Sequence, residues 1–126
     1  MAVVSERPGV SLETRMGHME PRAEAIIHQG GIGTTAQGMR AGRPMLVVPY
    51  AHDQPDNAAR ARRLGIARTI DRGAYSADRA ARELGQLLDD PNYARRATEI
   101  GGEIGREDGA GTACYALEAV LRGGTA

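Results

Sequence analysis

Hydrophobic positions in this chain fall into short blocks whose spacing changes along its length. Two blocks, at 25–27 and 45–48, are continuously apolar, and Ala67–Ile70 reads as a third short strand. Such runs suit strands buried on both faces, as in a parallel sheet covered by helices. Between and after them the spacing becomes helical. A helix is expected from Thr34 to about Arg40, with Gly42 placed to end it and Pro44 preventing its continuation. A second runs from about Pro55 to Leu64 and ends at Gly65. Ser76 can cap a third that reaches about Asp89, with Ala80, Ala81, Leu84, Leu87 and Leu88 on one face. Asp90, Pro91 and Asn92 form a break. A fourth helix from about Tyr93 has Ala97, Ile100 and Ile104 in phase. A last one from Thr112 has Ala113, Ala116, Leu117, Val120 and Leu121 in phase, and Gly123 and Gly124 end it. Strand, helix, strand, helix, strand and then helices predicts an α/β fold with a parallel sheet and right-handed crossovers.

Residues 1–20 show no sustained period and are expected to form an irregular lead, with a strand stub at 1–4 and a possible short helix at 11–16 capped by Ser11. Three strands are few for such a domain, so part of the sheet is expected to be missing. An edge of strand 25–27 or 45–48 would then lie unpaired and apolar and invite pairing with another chain, giving a homo-oligomer.

A length of 126 residues suits one domain. The absence of Phe and Trp leaves a core of small aliphatic side chains, which favours close packing of helices on a sheet. Sixteen basic residues balance 16 acidic ones, so net charge gives no support for nucleic-acid binding. Arg60, Arg62 and Arg63 are read as a solvated helix face. Cys114 is the single cysteine, which excludes an intrachain disulfide, fits a reducing compartment and, in an apolar helical stretch, suggests a small core residue. No apolar run approaches the ~18 residues of a membrane span, and the start lacks the order of a signal peptide. A cytoplasmic location is expected.

The chemistry concentrates at two expected strand ends. One carries His28, Gln29, Gly30, Gly31, Gly33 and Thr34; the other carries His52, Asp53, Gln54 and Asn57. Glycines before a helix let backbone approach a phosphate, and the helix N-terminus attracts it through unpaired N–H groups. Ligands of parallel sheets sit at the carboxyl ends of the strands, so both loops would face one crevice. A P-loop needs a Lys after the last glycine, where Thr34 stands. A dinucleotide fingerprint is formally present as Gly31, Gly33 and Ala36, but the acidic residue it needs, Asp53, lies five residues beyond the strand and across Pro49. A nucleoside-diphosphate-sugar site uses every polar residue of the two loops. His28 or Gln29 would donate to phosphate, Gly33 and Thr34 would bind the same diphosphate, and Asp53 and Gln54 would bond sugar hydroxyls. His52 could equally be a plain loop residue. The three histidines and one cysteine have no metal-ligand spacing.

The stretch from His28 to Gln37, then Arg40–Met45 with Val47-Val48-Pro49, then Asp53-Gln54-Pro55-Asp56-Asn57-Ala58, closely resembles the donor-binding signature of family-one glycosyltransferases, the UDP-glycosyltransferase-like enzymes of GT-B fold. Similarity is densest over 21–70 and continues to about 122, leaving 123–126 as a tail. The resemblance implies a Rossmann-like parallel sheet flanked by helices, the partial C-terminal domain of a GT-B fold. It implies binding of a UDP-sugar or TDP-sugar and no cofactor. Gly33 and Thr34 would hold the diphosphate with the rest of the glycine loop, Gln37 the ribose, and Asp53 and Gln54 the sugar, with His52 and Asn57 as weaker candidates. Transfer to an acceptor hydroxyl with inversion is implied, the general base belonging to an acceptor-binding domain that this chain lacks; no catalytic residue is therefore expected here, and the chain alone is expected to be inactive. Many members have His where Gln29 stands and Glu where Gln37 stands. The alternatives are a non-catalytic nucleotide-sugar- or partner-binding module and, more remotely, a fragment of an NAD-dependent oxidoreductase.

Overall fold

A computed structural model of the chain describes residues 2–5, 11–14 and 23–123, the first two segments by their backbone. The three expected segments form strands, β3 (Ala25–His28), β4 (Met45–Val47) and β5 (Ala67–Thr69). They pair in parallel, with Ile27 opposite Leu46 and Leu46 opposite Arg68. The ladder runs one residue further at each step, through Val48 N–H to His28 O (2.9 Å) and Ile70 N–H to Val47 O (3.0 Å).

In the N-terminal segment the strand stub expected at 1–4 is present, and the short helix expected at 11–16 is replaced over its described residues by a strand. Ala2–Ser5 (β1) and Ser11–Thr14 (β2) are antiparallel strands, so no helix occupies Ser11–Thr14. Two four-residue runs containing Val, Leu and Thr, separated by a segment with Pro8 and Gly9, have the composition of a hairpin, and a short irregular-looking period hid it. β1 also pairs antiparallel with β3, giving the sheet order β2-β1-β3-β4-β5. The expected unpaired apolar edge at 25–27 or 45–48 is therefore absent: β3 and β4 each have a neighbour on both sides, and the edges are β2 and β5.

Alternate residues of β4 separate two cores. Met45 and Val47 join Ile26, Ala58, Ala61, Ile66, Ala97 and Ile100 on one face. That face is covered by α1 (Ile32–Arg40), α2 (Gln54–Arg63) and α4 (Pro91–Gly105). Leu46 and Val48 join Ala25, Ile70, Leu84 and Leu87 on the other, beneath α3 (Ala77–Asp89). Ser76 and Asp90 cap α3 and α4 through Arg79 N–H and Asn92 N–H. One buried position of α3 is charged: Glu83 meets Arg68 at 2.6 Å and Arg79 at 3.0 Å. Burial pushes its carboxyl up, but the two guanidiniums outweigh this and hold it below the usual carboxylate range. Arg68 thus ties the edge strand to α3, and it also donates to the Tyr93 hydroxyl of α4 (3.0 Å).

Helix α5 (Gly109–Leu121) departs from the expected packing. Ala113, Ala116, Leu117, Val120 and Leu121 are in phase, yet all are exposed, and so is Cys114, which is no core residue. Among the described residues, the two apolar clusters on the sheet are covered by the four preceding helices, and neither includes a residue of α5. Ala81, expected on the buried face of α3, is exposed as well.

Helices α1 and α4 meet through backbone. A Cβ on Gly101 would lie 2.8 Å from Gly42 Cα and 3.0 Å from Met39 O, whereas one on Gly102 would meet only the tip of Arg106 at 3.8 Å. Two adjacent helical glycines should therefore respond oppositely. Gly101→Ala is expected to destabilise by about 1–3 kcal/mol through overpacking. Gly102→Ala is expected to stabilise by up to about 1 kcal/mol through helix propensity. Denaturant unfolding of the two variants checks the pair of signs.

Candidate functional site

The carboxyl ends of β3 and β4 open into two loops, 29–31 before α1 and 48–53 before α2. Parallel pairing of these strands puts both loops at one end of the sheet. Gly30 lies between them. Its φ is +94°, and a Cβ there would meet Val47 Cγ1 at 2.9 Å and Gln54 O at 3.1 Å. Its N–H donates to His28 Nδ1 (2.9 Å), and its carbonyl accepts from Asn57 Nδ2 (3.0 Å).

His28 does not occupy the phosphate-facing position considered for it. Its ring is buried, with Nδ1 taken by Gly30 N–H and Nε2 3.1 Å from Met45 Sδ. Because Nδ1 accepts, the neutral ring carries its proton on Nε2. Burial lowers the imidazole from 6.5 to about 4, so it is neutral over the physiological range. The strand alternation explains this: His28 points into the sheet, and the next residue, Gln29, is exposed at the loop surface.

Helix α1 starts directly after the loop. Its first internal bond runs from Thr35 N–H to Gly31 O (2.9 Å), doubled by Thr35 Oγ1 to the same carbonyl (2.9 Å). The amides of Ile32, Gly33 and Thr34 precede that bond and have no carbonyl within the helix to reach. No side chain caps this end, and no acidic residue sits in the first turn, so its partial positive charge is uncompensated. Gly33 is exposed, and a Cβ on it would find nothing within 4 Å. Gln37, one turn after Gly33, is exposed on the same side of the helix.

The second loop is organised by its own helix. Gln54 Oε1 accepts from Tyr50 N–H (2.9 Å) and Ala51 N–H (3.1 Å), which leaves its amide N–H groups as the part able to donate outward. Asp53, at the start of α2, is exposed and accepts from Asn57 Nδ2 at Oδ2 (2.9 Å). His52 is exposed and has φ of +58°, a conformation histidine tolerates better than most side chains. The structure thus brings Gln29, Gly30, Gly31, Gly33 and Thr34 to one loop and helix end, and Asp53, Gln54 and Asn57 to the other, with Asn57 in contact with both.

Two features were not anticipated. Thr35, next to the expected Thr34, is the buried one and closes the turn. Arg72, in the 3-10 turn Arg72–Ala74 after β5, stacks over the Tyr50 ring at 4.7 Å from its centroid. It braces the 48–53 loop from the third strand end, a contact between residues 22 positions apart with no local pattern to announce it. Among the described residues no group of His, Cys, Asp and Glu could hold a metal ion, and no helix is long and apolar enough to cross a membrane.

The family described as "Erythromycin biosynthesis protein CIII-like, C-terminal domain" matches residues 10–112. The chain is 38% identical over 99 residues to O-mycaminosyltylonolide 6-deoxyallosyltransferase of Streptomyces fradiae, covering 78% of this chain and 24% of that protein. Among solved structures, the glycotransferase of kitacinnamycin aligns with a TM-score of 0.72 at 35% identity, over 78% of this chain and 26% of that one. Spinosyn rhamnosyltransferase complexed with thymidine diphosphate aligns with a TM-score of 0.72 at 27% identity, over 78% and 27%. The chain spans about a quarter of the length of these relatives.

The depressed His28 value sets a direction for stability against pH. As pH falls through about 6.5 the unfolded chain protonates this ring, while the folded chain resists until about 4. The contribution is complete above pH 6.5 and is lost as pH falls toward 4, by at most about 3 kcal/mol. His28→Gln, which cannot titrate, should therefore show a shallower loss of stability between those limits than wild type, measured as melting temperature across pH.

Proposed function

The chain belongs to the erythromycin-biosynthesis-protein-CIII-like C-terminal domains of family-one glycosyltransferases, and on that premise we propose that the crevice between its 29–31 and 48–53 loops holds the nucleotide-sugar donor of such an enzyme. The observation that carries this reading is the open α1 N-terminus: three amides with no partner inside the helix, no side-chain cap and no acidic residue in the first turn, next to a loop whose glycines keep side chains away.

In this reading the diphosphate lies on the amides of Ile32, Gly33 and Thr34, with the Thr34 hydroxyl and the Gln29 amide adding donors. Gly30 and Gly31 shape the loop, and His28 supports it from below. Gln37, facing the same side as Gly33, accepts from a ribose hydroxyl. Asp53 accepts and the Gln54 amide donates to hydroxyls of the sugar, with His52 at the rim. A base from outside these residues takes the proton of an acceptor hydroxyl. The acceptor oxygen attacks the anomeric carbon, and the bond from that carbon to the diphosphate breaks with inversion. Charge growing on the leaving diphosphate meets the helix N-terminus, where preorganised donors act most strongly on the transition state. Thymidine diphosphate is the favoured nucleotide over uridine diphosphate, because a structural neighbour holds it.

Gly33 offers a clean test because a side chain there touches nothing of the protein. Calorimetric titration of the chain with TDP, UDP and NAD should show binding of TDP or UDP and none of NAD. Gly33→Leu should weaken that binding at least tenfold, about 1.4 kcal/mol or more, with no fall in melting temperature in the absence of ligand. Undiminished nucleotide binding by the variant, or preference for NAD, would overturn the reading.

A further inference from the structure

Building on the donor-site reading, we propose that Asn57 is a positioning residue that aims Asp53 at the sugar and locks the sugar-binding loop to the diphosphate-binding loop. Asn57 had stood as a weak candidate for ligand contact. Its side chain faces protein instead. The two N–H groups of Nδ2 go to Gly30 O (3.0 Å), in the first loop, and to Asp53 Oδ2 (2.9 Å), in the second. One nitrogen therefore joins segments 27 residues apart.

Asp53 shows what this contact redirects. It stands at the N-cap position of α2, where an Asp ordinarily accepts from a helix amide and contributes about 1 kcal/mol. Here it makes no such bond. The backbone at Asp53 is already helical (φ −79°, ψ −8°), and Pro55, two positions on, has no N–H to offer. Asn57 takes Oδ2 instead, which fixes the carboxylate plane and leaves Oδ1 as the oxygen for a sugar hydroxyl. At its other end Asn57 satisfies the carbonyl of Gly30, whose N–H is held by His28. The phosphate loop is thereby fixed through both polar atoms of one residue, and one of the two anchors is shared with the sugar-binding carboxylate.

Only a primary amide can serve here. A carboxylate at position 57 has the same shape but would face the Gly30 carbonyl and the Asp53 carboxylate with no proton to give. Leucine has a similar size and would make neither bond. The two variants separate a positioning role from a packing role, since packing alone ranks Asp as the milder change and positioning ranks it as the worse one.

The experiment compares wild type, Asn57→Leu and Asn57→Asp in calorimetric titrations with TDP and with TDP-glucose at pH 7.5, together with their melting temperatures. Wild type should bind TDP-glucose more tightly than TDP. Asn57→Leu should lose at least tenfold for TDP-glucose but only about threefold for TDP, because the α1 amides remain while Asp53 loses its orientation. Asn57→Asp should lose more than Asn57→Leu for TDP-glucose. Equal losses for the two ligands, wild-type affinities in both variants, or the reverse ranking would overturn the positioning role while leaving the donor site standing. A wild-type chain that binds neither ligand would overturn the donor site itself, and this role with it.

Discussion

Gly30 is the point on which the site depends. Its Cα is pressed between Val47 of β4 and the backbone of Gln54, with no space for a Cβ, and its φ lies in a region L side chains rarely adopt. This close approach brings the loop after β3 and the start of α2 together. Were the two separated by even a methyl group, the Asn57 amide could not span from Gly30 to Asp53. The geometry of the crevice is thus set by backbone contact, which is stiff, and the polar side chains act on loops whose separation is already fixed. The core beneath supplies that stiffness: Ile26, Met45 and Val47 are all fully or almost fully buried beside these loops.

Two buried polar groups flank this arrangement and solve the same problem differently. His28 is kept neutral, so its burial costs little and its Nδ1 stays available to accept from Gly30. Glu83, on the opposite face, stays charged because Arg68 and Arg79 both reach it. A neutral anchor under the phosphate loop matters electrostatically. An unpaired charge at that depth would alter the field at the α1 N-terminus, whose first turn holds no acidic residue. The charged pair is placed at the β5 edge instead, where Arg68 also gives an exposed strand edge a side chain unsuited to pairing with another chain.

Most of the framework was legible in the order of residues. Continuous apolar blocks marked β3 and β4 because strands buried on both faces leave no polar alternation, and Ser76, Gly42 and Gly123 marked helix ends because caps need those residue types. The two loops were legible as a shared crevice from their glycines and carboxamides. What failed was whatever depends on a partner far away in sequence. His28 and Gln29 look equivalent as phosphate donors until strand alternation places one inside. Asp53 and Asn57 both look like ligand contacts, and only the 27-residue closure to Gly30 shows that Asn57 faces inward. The pairing of 2–5 with 11–14 was missed because the first segment was read only as a strand stub and the second as a short helix. Helix α5 has an apolar stripe that predicts packing, but a stripe states that a surface can be buried and not that this fold has a face left for it.

The same sheet geometry explains why a nucleotide-sugar donor suits this end of the molecule better than a dinucleotide. A dinucleotide requires an acidic side chain at the end of the second strand, level with the first glycine turn. Here that strand end is taken by Val48 and Pro49, and the carboxylate is carried away to the start of α2, where Asn57 restrains it. In the proposed reading it serves what extends beyond the diphosphate, not the ribose before it. The exposed amide of Gln37, one turn into α1, stands on the ribose side instead. In the proposed reading, a ligand that runs from ribose through diphosphate to a hydroxyl-rich ring would meet, in order, the Gln37 amide, the backbone N–H groups of α1 and the Asp53 carboxylate, and the contacts of Gly30 and Asn57 join the last two.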